Sequence, residues 1–173
     1  MRGVLAVGLS VGLAASVVGT AVLASAVSML GVGGGAPAAS PAATAKIPPA
    51  MLTLYEQAAA TCPGLPWTVL AAIGQIESAD GTNVGPSSAG ALGPMQFLPS
   101  TWAIWGIDGF GQTGPPDVLN PYDAVPSAAR LLCADGAAKG GAALSAAIFD
   151  YNHADWYVRE VLGLAAGYAK NYS

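Results

Sequence analysis

Ten carboxylates and one histidine are the groups from which this 173-residue chain could build acid–base chemistry near neutral pH. Only three of the carboxylates are glutamates: Glu56, Glu77 and Glu160. Glu56 and Glu160 lie among polar neighbours and read as solvated. Glu77 follows Ile73 by four residues and Val69 by eight, so it continues the apolar face of a helix toward that helix's end. A carboxylate there is partly desolvated and sits at the negative end of the helix dipole; both effects raise its pKa. That is what a general acid needs. The plainer alternative is a helix-ending Glu that turns to solvent or pairs with Arg130 or Arg159. A metal centre is disfavoured, because there is a single His and no closely spaced Cys pair.

The elements that must position Glu77 read as helices. Pro48-Pro49 precede an apolar pattern (Met51, Leu52, Leu54, Tyr55, Ala58) that ends near Cys62-Pro63-Gly64. Pro66 is suited to the first position of a second helix, which runs through Trp67, Val69, Leu70, Ile73 and Ile76. Residues 81–93 and 106–116 are turn-rich loops. Between them Ser100 is placed to cap a short helix with Trp102, Ile104 and Trp105. Further helices are expected over 121–134, 142–152 and 155–164. No alternating run suggests a strand, and no internal repeat appears. The expected fold is all-α with long functional loops.

Charge is scarce, at 9% of residues against roughly a quarter in an average soluble domain. Part of the shortage is local, since nothing between Arg2 and Lys46 is charged. Arg2, the apolar run to Leu30 and the small residues Ala24-Ser25-Ala26 predict a secretory signal over 1–30, with an uncleaved membrane anchor as the rival. Residues 31–49, small and Pro-rich, predict a disordered linker. The domain is expected over 50–173, outside the cytoplasm. The chain's net charge is −4, and residues 50–173, with four basic and ten acidic residues, lack the basic face that a nucleic-acid binder needs. In an exported chain the two cysteines, Cys62 and Cys133, predict a structural disulfide, with two buried thiols as the alternative.

The segments around and after Glu77 narrow the function. They read Glu77-Ser78, then Gly93-Pro94-Met95-Gln96-Phe97-Leu98-Pro99-Ser100-Thr101-Trp102, then Asn120-Pro121-Tyr122-Asp123-Ala124, and Asp150-Tyr151-Asn152-His153. Together they resemble the lytic transglycosylases, enzymes of goose-type-lysozyme-like fold that cut peptidoglycan glycan strands. The Gln-Phe-Leu-Pro-Ser-Thr-Trp and Pro-Tyr-Asp-Ala segments look most like the branch related to membrane-bound lytic transglycosylase B. The resemblance spans about residues 65–162. It implies that Glu77 is the single catalytic acid/base. It further implies that Ser87, Met95, Gln96, Tyr151, Asn152 and Tyr157 contact substrate, with Gln96 a sugar-facing amide that adds little to the core. Read as packing instead, Tyr151 and Tyr157 are six residues apart, on opposed helix faces unless the chain breaks at His153–Ala154.

The resemblance also implies peptidoglycan as partner and no cofactor, and a monomer is expected. Related enzymes can hold a cation in the loop after the Trp segment. Here Ile107-Asp108-Gly109-Phe110-Gly111-Gln112-Thr113-Gly114 offers one acidic side chain, too few oxygen ligands for Ca²⁺. No second carboxylate stands out beside Glu77, although Asp80 and Asp150 remain candidates for a hydrolytic muramidase on the same fold. A silent peptidoglycan-binding module is the remaining rival.

Overall fold

The computed structural model describes residues 46–111 and 113–172. The expected signal or anchor segment, and the linker up to residue 45, lie outside the described residues. Among these residues six helices follow in order: α1 (Pro49–Ala60), α2 (Trp67–Ser78), α3 (Pro99–Trp105), α4 (Pro121–Ala134), α5 (Gly141–Asn152) and α6 (Asp155–Asn171). A 3₁₀ turn, Ala137–Lys139, separates α4 from α5. Among the described residues there is no strand, only a bridge between Leu92 and Phe97. None of these helices is long and apolar enough to cross a membrane.

The middle of the bundle is α2, whose residues Thr68 through Gly74 are all buried. It packs chiefly against α6 and α1. α1 buries Met51, Leu54, Tyr55, Ala58 and Ala59, an i, i+3, i+4, i+7 stripe. α6 does the same with Tyr157, Val161, Leu164, Ala165 and Tyr168. Gly74 lets α1 and α2 meet closely, because a Cβ there would stand 2.0 Å from the Tyr55 hydroxyl. Cys62, just past α1, is bonded to Cys133 in the last turn of α4, with Cα atoms 6.0 Å apart.

Four boundaries differ from the sequence reading. Pro66 is the cap before α2 rather than its first residue. Leu98, not Ser100, precedes α3, with Pro99 at its start, and no side chain caps it. α6 continues seven residues past Leu164, because Tyr168 extends the stripe begun by Val161. The packed domain also begins ahead of residue 50: Ile47 is buried, and its N–H donates to the Tyr172 hydroxyl. Those last residues of the expected linker are therefore part of the fold.

Candidate active site

Glu77 stands one residue from the end of α2, partly buried. The Tyr157 hydroxyl, at the start of α6, donates to its Oε1 at 2.6 Å. Asn152, the last residue of α5, also hydrogen-bonds to the carboxylate. Burial dominates and pushes Glu77 up to about 7 from an ordinary 4.5, against the two hydrogen bonds, which pull it down. The carboxyl is thus poised to hold or release a proton near neutrality. Neither Arg130 nor Arg159 is among the groups that act on Glu77; Arg130 lies over the Trp105 ring at 5.3 Å, and its Nη1 faces the Trp105 carbonyl.

The chain break that brings the two tyrosines together falls where α5 meets α6. His153 caps α5 in the left-handed region at φ 58°, and Ala154 is extended. Across that corner the rings of Tyr151 and Tyr157 stack with centroids 6.4 Å apart and planes 3° apart. Burial, and then the charge of Glu77, keep both phenols well above their ordinary range, so they remain neutral donors. Tyr151 spends its proton on the Met95 carbonyl at 2.8 Å. Phe97 meets the Tyr151 ring edge-on and Trp102 meets Phe97 likewise, which makes Trp102 a packing residue.

The turn carrying Met95 and Gln96 is held tightly. The Ser78 hydroxyl, next to Glu77, donates to the Pro94 carbonyl at 2.7 Å and accepts from the Gly81 N–H at 2.8 Å. Gln96 takes φ 48°, and its side-chain amide donates to the carbonyls of Gly93 (3.0 Å) and Gly85 (3.3 Å). Two expectations are corrected here. The Gln96 amide carries structural weight, because its N–H groups tie the loop together. The Met95 side chain is fully buried in the core, so it offers no surface to a sugar. Ser87 is partly exposed on the same loop, where its Oγ accepts from the N–H groups of Ala89 and Ala91.

Three residues outside the expected set matter to the geometry. Asp123, expected only near a helix start, is buried beyond the Asn120 cap. Its carboxylate accepts from the N–H groups of Gly109 (2.7 Å) and Asp117 (3.0 Å), so it pins the 106–120 loop. Asp80 accepts a hydrogen bond from the Tyr55 hydroxyl at 2.8 Å. A buried tyrosine opposite a helical glycine, Tyr55 against Gly74, was the available hint. Asp150, by contrast, is exposed on α5, where its charge acts on Asp135. Among the described residues no three His, Cys, Asp or Glu side chains group as a metal site would require.

Residues 67–147 match the family described as the transglycosylase SLT domain. Two solved structures of the Escherichia coli lytic transglycosylase Slt35, one with calcium and one with bulgecin A, share the fold at a TM-score of 0.58 each. Their identities to this chain are 18% and 17%, and each alignment covers 72% of this chain and 76% of the other. No curated protein matches the chain.

Proposed function

We propose that this chain, which carries a transglycosylase SLT domain, is a peptidoglycan lytic transglycosylase in which Glu77 is both acid and base. The observation that carries the reading is the setting of Glu77. It is a lone carboxyl raised to about 7, and the groups acting on it are burial, Tyr157 and Asn152. In its protonated form Glu77 donates to the oxygen linking N-acetylmuramic acid to N-acetylglucosamine, and the bond to the muramic acid C1 breaks. As carboxylate it then accepts the proton of the C6 hydroxyl, whose oxygen closes on C1. The product ends in 1,6-anhydromuramic acid, and no water is consumed. Glu77 finishes protonated, ready for the next strand.

Tyr157 and Asn152 hold the carboxyl in place and stabilise its ionised state between the two proton transfers. Tyr151 and Gln96 act mainly by fixing the wall of the cleft, and Ser87 is the partly exposed hydroxyl available to a sugar. The substrate, peptidoglycan, implies work outside the cytoplasm. An N-terminal signal or anchor over 1–30, a monomeric state and kinship with the membrane-bound lytic transglycosylase B branch belong to the same proposal, supported by the sequence patterns described above.

Mass spectrometry of products from purified peptidoglycan tests the reaction. Transglycosylation releases anhydro products, whereas a muramidase adds one water per cut. Products one water heavier from the wild-type protein would replace this reading with the hydrolytic one. A strand-binding protein that releases no products at all would point to the silent module. Glu77→Gln keeps size and hydrogen-bonding shape but cannot cycle the proton, so activity is expected to fall by about 10²–10⁴-fold or more.

A further inference from the structure

We infer that Asp80 is a positioning residue that fixes Glu77 through the end of α2, rather than a second carboxylate of the reaction. The inference rests on Glu77 being the acid and base. It explains why a buried carboxylate so near in sequence takes no part in the chemistry.

After Ser78 the chain enters the left-handed region three times in succession, at Ala79 (φ 50°), Asp80 (φ 53°) and Gly81 (φ 85°). Glycine adopts that region freely, but Ala and Asp do so at a cost, and such segments persist only where the surroundings hold them. Here the holding is explicit on both sides. The N–H groups of Ala79 and Asp80 donate back to the carbonyls of Gln75 and Gly74 at 3.0 and 3.1 Å. Ser78 ties the same corner to Pro94, and hence to the turn bearing Gln96. From the other side Tyr55 crosses α2 over Gly74, where no side chain stands in its way, and its hydroxyl reaches the Asp80 carboxylate.

The Asp80 carboxylate therefore faces α1 and α6. Burial raises its pKa, opposed by the Tyr55 bond, and burial followed by the Asp80 charge raises that of Tyr168 on α6. Both tyrosines are fully buried, and the Tyr168 hydroxyl has no hydrogen-bond partner. Asp80 itself is only 8% exposed, a poor place from which to activate water. Without the Tyr55 bond, the left-handed corner has less to hold it and the last turn of α2 is free to fray. Glu77 lies in that turn, and small displacements of a reacting group carry large rate penalties.

The test uses Asp80→Asn, Asp80→Ala, Tyr55→Phe and the Tyr55→Phe/Asp80→Ala double variant, assayed for kcat and KM on purified glycan strands. The asparagine oxygen still accepts from Tyr55, so Asp80→Asn is expected to keep kcat within a few-fold of wild type. Asp80→Ala and Tyr55→Phe are each expected to lower kcat by about ten-fold or more with KM little changed. The double variant should be no worse than the weaker single variant, because both remove one contact. Tyr55→Phe keeps the test open if Asp80→Ala fails to fold. Folded Asp80→Asn protein as inactive as Glu77→Gln would overturn the inference, and so would Tyr55→Phe with wild-type kcat. The product masses of the wild-type protein are read separately. Anhydro products with a dead Asp80→Asn variant sink the positioning role alone, whereas hydrated products with an active Asp80→Asn variant sink the transglycosylase reading alone.

Discussion

Tyr157 donates its hydroxyl to Glu77 Oε1 at 2.6 Å, across 80 residues of chain, and its ring is stacked on Tyr151. The proton on that phenol is therefore committed to the one carboxyl whose protonation state decides whether a glycosidic oxygen can be protonated. Because the hydroxyl favours the ionised carboxylate, Tyr157 lowers the Glu77 pKa while burial raises it, and the balance falls at about 7.

That balance sets a pH profile. A general acid must be protonated in the free enzyme, so kcat/KM is expected to fall on the alkaline side with a midpoint at about 7. Tyr157→Phe removes a hydrogen bond to a charged group, worth about 1.5–3 kcal/mol, and should move that limb upward by about 1–2 pH units. The measurement is kcat/KM against pH for both proteins. A limb that stays put or moves downward means that Tyr157 does not act on the titrating group.

Stability should carry the same signature with a definite sign. The folded protein favours protonated Glu77, so between about 4.5 and 7 it holds more protons than the unfolded chain. Stability from this group is therefore present at low pH and lost as pH rises through that window. Glu77→Gln has no charge to bury. In urea denaturation at pH 8 it should exceed wild type by up to about 3 kcal/mol, an advantage that shrinks to a few tenths near pH 4.5. A variant less stable than wild type at pH 8 would show that Glu77 is not desolvated.

Gln96→Ala should affect fold and turnover together. Its amide bonds to Gly93 and Gly85 close the loop that Ser78 ties to the end of α2. Losing them should cost about 1–2 kcal/mol in denaturant unfolding and lower kcat as the turn loosens. A variant as stable as wild type would mean that the amide is free to face a sugar after all.

The Cys62–Cys133 bond closes a loop of sequence separation 71 between α1 and α4. In the chain-entropy view such a cross-link contributes about 4–5 kcal/mol, so reduction should lower the melting temperature by well over ten degrees for a domain of this size. At temperatures where the reduced protein is still folded, kcat should be close to that of the oxidised form, because neither cysteine is among the groups that act on Glu77. A melting temperature indifferent to reductant would argue that the bridge does not form in solution.

Helix placement and the odd carboxylate were legible without any structure. The stripes of α1, α2 and α4 repeat at helical spacing, Pro and Gly mark their ends, and Glu77 interrupts an otherwise apolar face. These are local properties, set within one or two turns of backbone. The end of α6 was lost because Gly163, Gly167 and several alanines blunt the pattern, although Tyr168 stands seven residues after Val161 on the same stripe. What faces what was decided by tertiary structure alone. The left-handed turn at His153 brings Tyr151 and Tyr157 together, and no spacing rule reports a single φ angle. Asp80 faces Tyr55 rather than water because Gly74 leaves room for a phenol to cross α2. The Gln96 amide turns inward because the loop carbonyls of Gly93 and Gly85 lie within its reach. A side chain's type and register follow from the chain itself, whereas its hydrogen-bond partner depends on which distant donor or acceptor the fold leaves unsatisfied beside it.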